Sequence, residues 1–177
     1  MDVFEAIKTR RSVREFTDDP VTDEELEMIL EGGRWAPSGL NNQPWRFMKI
    51  TNPELIKRIS EFTKYRGVVA QAKALICVFL DANAVYDRTK DVQSVGAAIE
   101  NMLLVAHNLG LGATWLGEIL NRREEVEDFL KVPDDYELMA VIAIGRPVPR
   151  ERVGVRHPLS ELLVPEPEFP ITGGKNE

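Results

Sequence analysis

With 177 residues, 44% hydrophobic and 29% charged, the chain has the make-up of one folded domain, which excludes a disordered polymer and two large independent domains. Asp and Glu outnumber Lys and Arg 29 to 22, for a formal charge of −7, so wholesale nucleic-acid binding, which needs a basic face, is excluded too. No apolar run reaches the roughly 18 residues that span a bilayer, and "MDVFEAIKTRR" holds no long apolar core, so neither a membrane anchor nor a secretory signal is expected and the default location is cytoplasmic.

In chain order, Asp2 followed by Glu5 resembles a capping box, and Val3, Phe4 and Ile7 mark one face of a short helix ending near Arg10 or Arg11. Thr22 with Glu25 repeats the signal, with Leu26, Ile29, Leu30 and Gly33 at helical spacing up to about Trp35, where "APSG" stops the helix. "RFMKI" predicts a strand, and Thr51 with Glu54 opens a helix carrying Leu55, Ile56, Ile59 and Phe62. "ALICVFL" is a continuous apolar run suited to a central strand covered on both faces. From Asp91 to about Leu109 the pattern of Val95, Ala98, Ile99, Met102, Val105, Ala106 and Leu109 predicts a long core helix ended by Gly110. "GATWL" is a short strand, Asn121 with Glu124 starts a helix to about Leu130, and "ELMAVIAIG" is a buried strand ended by Gly145 and Pro147.

Four strands and about five helices result, in an interrupted alternation that favours α+β over a regular doubly wound sheet. Beyond Pro147 the prolines at 149, 158, 165, 167 and 170 and the lack of periodicity predict an extended arm. Such an arm is stable only if it lies on something.

The residues exclude much chemistry. There is no G-x-G-x-x-G after a strand, no Walker loop, no G-x-S-x-G elbow and no H-E-x-x-H. Cys77, the single cysteine, lies in "ALICVFL" and is expected to be a buried apolar thiol. With only His107 and His157 a histidine-rich metal site is not available, and His107 in its apolar helix is expected to be structural. Asp18 with Asp19, and Asp134 with Asp135, flank prolines and read as solvated turns. Asp81, Asp87 and Asp91 lack the glycine and spacing of a calcium loop and also read as surface.

What remains is "TRRSVREF" at residues 9–16 and "WAPSGLNNQPWRF" at 35–47. Arginines make charge-assisted, often bidentate bonds to phosphate, and Arg10, Ser12 and Arg14 alternate as along an extended segment with their side chains on one side. The same charges could simply complement the end of the first helix in solvent. The second stretch is rich in turn formers, with Trp45 and Phe47 placed to anchor it.

The order "RRSVREF", "APSGLNNQPW", "LGLGATWLGEI", "IGRP" and "VRHPLSELL" resembles the nitroreductase family of FMN-dependent oxidoreductases, over about Met1 to Leu163. The resemblance implies a nitroreductase-like α+β fold with a mainly antiparallel sheet flanked by helices. It also implies a single FMN-binding domain over 1–163 with a tail at 164–177, and an intertwined homodimer whose extended C-terminal arm wraps the partner. It implies that Arg10, Arg11, Ser12 and Arg14 hold the FMN phosphate and ribityl chain, with Arg156 completing the phosphate site. Members often carry a second basic residue two positions earlier, where this chain has Gly154, so the grip leans on the N-terminal arginines, with Arg146 a further candidate. Pro37, Ser38, Gly39 and Asn41 match the loop that reaches the flavin ring from the other subunit, while Gln43 and Trp45 hold that loop. Trp115, Leu116, Gly117 and Glu118 match the segment against the ring, with the backbone N–H near Gly117 directed at flavin N5. Arg66 lies near where some members contribute a polar contact.

The implied activity passes a hydride from NADH or NADPH through FMN to an electron-poor small molecule such as a nitroaromatic or quinone. No metal and no catalytic side chain is implied. Other branches of the family dehalogenate iodotyrosines or break flavin down, and a flavin-binding sensor without turnover is a reading of a different class. "DANAVYDRTKD" is shorter than the helical excursion that covers the pocket in larger members, which implies a more open site or one completed by the arm.

Overall fold

A computed structural model of the chain describes residues 1–167; the end of the expected 164–177 tail, with Pro170, lies outside the described residues. Strands β1 (Trp45–Ile50), β2 (Ala74–Asp81), β3 (Gly112–Leu116) and β4 (Tyr136–Gly145) form one sheet in the order β1-β2-β4-β3, every neighbouring pair antiparallel. The fold is α+β, as the interrupted pattern predicts.

All eight residues of β2 are buried, which its unbroken apolar run requires. Ala74, Ile76, Val78 and Leu80 face one way, against helices α2 (Asp23–Arg34) and α5 (Arg88–Asn108). Leu75, Cys77 and Phe79 face the other, with Ile56, Ile59, Val69 and Val126 from helices α3 (Pro53–Ile59), α4 (Arg66–Gln71) and α6 (Arg123–Leu130). Burial pushes the Cys77 thiol up to about 12, so it is inert, as expected.

Most local signals hold. Thr22 and Glu25 form a complete capping box on α2. At α1 (Val3–Thr9) only half the box exists: Asp2 Oδ1 accepts from Glu5 N at 2.9 Å. Gly110 (φ 75) follows α5 in the left-handed region, as a helix-terminating glycine should.

Other expectations shift. α3 is capped by Asn52, not Thr51, because Asn52 Oδ1 accepts from Glu54 N at 2.9 Å and Pro53 takes the first helical position, where it needs no N–H partner. α5 starts at Arg88, because Asp87 caps it through Lys90 N. The Asn121 start becomes a 3-10 turn, Glu118–Arg122, and α6 follows it. α4 and the one-turn α7 (Leu159–Leu162) are too short for a periodic signature. The apolar face of α1 is not in the core: Val3, Phe4 and Ile7 are exposed, and only Ala6 is buried.

After α1 the chain runs extended beside the sheet. Ser12 bridges Ala113 in parallel, Val13 N donates to Ala113 O at 3.0 Å, and Thr17 N donates to Arg146 O at 2.9 Å. Buried Val13 and Phe16 anchor this segment on the cross-strand partners Gly112 and Gly145. A Cβ on Gly112 would stand 2.6 Å from Val13 Cγ1, and one on Gly145 2.8 Å from Phe16 Cδ1. Gly145→Val is therefore expected to cost about 1–3 kcal/mol by overpacking, measured by urea denaturation. A stability change within about 0.5 kcal/mol would show that Phe16 moves freely.

Candidate functional site

Arg10 ends α1 as its C-cap, donating its N–H to Ala6 O at 2.9 Å, and the backbone then turns extended (φ −56, ψ 131). This places Arg10, Arg11, Ser12 and Arg14 along a cleft of about 710 Å³ whose other wall is residues 150–156 of the arm. Arg156 is there, as expected. So are Arg150 and Arg152, which the sequence reading missed although "RERVGVR" repeats the alternating arginines of the opposite wall.

Six guanidinium groups against one carboxylate, Glu151, line the cleft. Some of that charge is neutralised: Arg150 Nη1 donates to both Glu15 carboxylate oxygens at 2.9 and 2.8 Å. Arg152 Nη2 donates to Val148 O at 3.0 Å, and Arg156 Nη1 to its neighbour Val155 O at 2.8 Å. Arg10 Nε stands 3.6 Å from Glu100 Oε1. Neither Arg10 Nε nor Arg11 Nε, both buried, has a hydrogen-bond partner. Among the described residues Arg14 has no side-chain hydrogen bond or ion pair. Orphaned donors inside a strongly positive cleft fit a phosphate monoester, which supplies negative charge and several acceptor oxygens together.

Strict alternation along the segment does not hold, since Arg11 also lines the cleft. Its Nη1 donates to Lys8 O at 2.7 Å and Arg10 O at 2.8 Å, at the carbonyl end of α1. The guanidinium lies against Gly154, where an added Cβ would stand 2.5 Å from Arg11 Cζ. A larger residue at 154 would therefore require the Arg11 guanidinium to shift from this position. Arg146 does not line the cleft: it binds Glu25 Oε2 at 2.9 Å and Pro20 O at 3.2 Å. Arg66 is outside it too, 3.9 Å from Glu61.

His107 has the structural role expected of it. Thr9 Oγ1 gives its one proton to Glu5 O at 2.7 Å and so accepts from His107 Nε2 at 2.8 Å. Burial and the neighbouring Arg10 and Arg11 charges hold the imidazole below its ordinary value, hence neutral.

Trp115, half-exposed, and buried Leu116 end β3, and Gly117 turns the chain into the 3-10 turn at Glu118. The Glu118 carboxylate accepts from Thr63 Oγ1 at 2.7 Å and Lys64 N at 2.9 Å, which together hold it below the usual carboxylate value. Its side chain thereby ties the end of β3 to the segment between α3 and α4.

Pro37, Ser38, Gly39 and Asn41 lie elsewhere. Pro37, Ser38 and Gly39 line a separate groove of about 370 Å³ with Tyr86, Lys90 and Ser94. Within one chain the loop and the arginine cleft are not brought together. The loop is conformationally costly: Leu40 (φ 54), Asn41 (φ 54) and Gln43 (φ 48) are all left-handed, at about 1–2 kcal/mol for an ordinary L-residue. Gln43 N donates to Ser38 Oγ at 3.0 Å across the loop, and Trp45, which follows it at the start of β1, is buried in the core. Gly39 lies against the Tyr86 ring: a Cβ there would stand 2.0 Å from Tyr86 Oη, so a larger residue would require that ring to shift.

Asp81 and Asp91 correct the surface reading, for both are buried. Asp81 pairs with Arg46 Nη2 at 2.5 Å and accepts from Asn83 N at 2.9 Å. Asp91 is fully buried and bonded to Asn42, Tyr86 and Asp87. Burial pushes its carboxyl up, but hydrogen bonds from Asn42 and from the Asp87 and Tyr86 backbone outweigh that and hold it below the ordinary value. A carboxylate three residues into a polar helix start has no periodic signature of burial, so sequence reasoning could not separate it from surface aspartates.

Comparisons with known proteins converge on one group. The model of the nitroreductase family matches residues 7–65 and 63–146. A protein of Methanothermobacter thermautotrophicus designated NADH dehydrogenase/NAD(P)H nitroreductase is 36% identical over 158 residues, covering 88% of this chain and 82% of that one. The oxygen-insensitive NADPH nitroreductase of Salmonella typhimurium is 30% identical over 178 residues, with 94% and 74% covered. Among solved structures, a protein of Desulfovibrio desulfuricans designated a nitroreductase, in complex with FMN, superposes with a TM-score of 0.89 at 47% identity, covering 95% of this chain and 98% of that one.

Proposed function

The chain belongs to the nitroreductase family, and from that membership we propose that it is an FMN-dependent oxidoreductase passing a hydride from NADH or NADPH to an electron-poor acceptor such as a nitroaromatic or quinone. The observation that carries the reading is the convergence of Arg10, Arg11, Ser12 and Arg14 with Arg156, from opposite ends of the chain, on one cleft with orphaned guanidinium donors.

In this reading the arginines and Ser12 hold the FMN phosphate and ribityl chain, Arg150 and Arg152 add to the field, and Trp115 to Glu118 lie against the ring. Pro37, Ser38, Gly39 and Asn41 meet the ring from a second copy of the chain. Two observations support that copy. The loop lies apart from the cleft of its own chain. Apolar side chains are also exposed on two segments: Val3, Phe4 and Ile7 on α1, and Val155, Leu159 and Leu163 on the arm. A homodimer in which arm and α1 meet the partner would cover both.

FMN, when bound, supplies the N5 position that accepts a hydride from the nicotinamide and yields it to the acceptor. The chain's own residues supply placement and field. The arginines would anchor the phosphate and so fix where the ring lies, and the backbone N–H of Gly117 would be the donor that the resemblance places near N5. Among the described residues no group of three or more His, Cys, Asp or Glu could hold a metal ion, and no helix is long and apolar enough to cross a membrane.

Purified protein is expected to be yellow, with one FMN per chain, and to bleach rapidly when mixed anaerobically with NADH or NADPH. Flavin that stays oxidised with both donors would leave a binding protein without turnover. Protein that takes up no FMN would overturn the proposal.

A further inference from the structure

Asp91 is fully buried, and three donors rather than a cation satisfy its charge. Asn42 Nδ2 donates to Oδ1 at 2.7 Å, and the backbone N–H groups of Tyr86 and Asp87 donate to Oδ2 at 3.0 and 3.1 Å. The remaining Nδ2 proton of Asn42 goes to Ala84 O at 2.8 Å. One amide side chain near the end of the loop therefore joins it to the turn at Ala82–Ala84 and to the start of α5.

Within the loop, Gln43 N donates to Ser38 Oγ, Asn41 N to Ser38 O, Asn42 N to Gly39 O and Gln43 Nε2 to Asn41 O, and at its end Arg46, itself paired with Asp81, donates to Gln43 O. Among the described residues, Asn42 makes the only side-chain hydrogen bonds from residues 37–43 to any segment beyond Arg46. It does so between three left-handed residues, Leu40, Asn41 and Gln43, a conformation that persists only where its surroundings over-determine it. Asp91 also grips the backbone of Tyr86, the ring against which Gly39 lies. One carboxylate thus fixes both the loop and the surface it rests on.

We propose that Asn42 and Asp91 form a latch that holds the 37–43 loop pre-shaped for the flavin bound in the partner's arginine cleft, which makes them positioning residues for FMN binding. The proposal rests on the reading that each loop completes the other subunit's FMN site. A pre-shaped loop loses little conformational freedom on meeting the ring, so freeing it weakens FMN binding without removing any group that touches FMN.

The test is subunit complementation. Homodimers of Asn42→Ala and of Arg10→Ala are each expected to bind FMN about ten-fold or more weakly than wild type. A heterodimer of one chain of each, isolated with two affinity tags, is expected to hold one FMN with wild-type affinity. One of its sites combines the intact arginines of the Asn42→Ala chain with the intact loop of the Arg10→Ala chain, and the other site carries both defects. A merely structural role for Asn42 would damage the cleft of its own chain and leave no tight site, so a heterodimer without one overturns the latch. An Asn42→Ala homodimer with wild-type affinity overturns it as well. Wild-type dimer that takes up no FMN would instead overturn the functional reading, and this inference with it.

Discussion

Replacing Arg10 and Arg156 together by alanine is expected to weaken FMN binding by roughly two to four orders of magnitude. A hydrogen bond to a charged group contributes about 1.5–3 kcal/mol, and the double variant removes one anchor from each wall of the cleft, with about 1.4 kcal/mol for each factor of ten. Little stability should go with it. Arg156 is exposed, and Arg10 gives up the packing of its largely buried stem and a 3.6 Å pairing with half-exposed Glu100, of the kind that contributes about 0–1 kcal/mol, while its buried Nε has no hydrogen bond to lose. Titration of FMN fluorescence, run beside urea denaturation of the FMN-free protein, separates the two quantities. Affinity should also depend less on salt in the variant than in wild type, since fewer charges face the phosphate. An affinity within three-fold of wild type, or parallel losses of binding and stability, would remove the phosphate from this cleft.

Ile142→Ala should have the largest effect on folding, about 2–5 kcal/mol. Ile142 is 1% exposed at the middle of β4, across from Ile76 on β2 and Trp115 on β3, and belongs to the core packed under α2 and α5. Those elements are held in place by tertiary packing, so the site cannot collapse to fill the void. That loss is a large part of the roughly 5–15 kcal/mol that stabilises an ordinary domain. At fixed protein concentration the urea midpoint should fall with an unchanged slope, and saturating FMN should recover part of the loss by mass action. Met28→Ala, at an exposed position of α2, serves as the control and should stay within about 0.5 kcal/mol. A loss under about 1 kcal/mol at Ile142 would place the core elsewhere.

Much of this molecule is written locally. The Thr22 and Glu25 box, the Gly110 stop, the unbroken run from Ala74 to Leu80 and the spacing along α5 each depend on neighbours a few residues away, so the elements could be read in order. So could the arginines of residues 10–14 and, through family resemblance, their pairing with Arg156. What could not be read is which surfaces find a cover. Val3, Phe4 and Ile7 have the same spacing whether α1 packs on its own chain or is exposed, and only the structure shows them exposed. Asp81 and Asp91 look like any aspartate near a turn until the fold brings Arg46 to one and Asn42 to the other. Arg150 and Arg152 join the cleft because Phe16 and Val13, lodged over two glycines, lead the N-terminal segment past the exit of β4. Periodicity and capping are set by bonds within a turn or two of helix or strand, and these the sequence determined by itself. Burial and the charge around a side chain are set by whatever arrives from distant parts of the chain, and that only the tertiary structure decided.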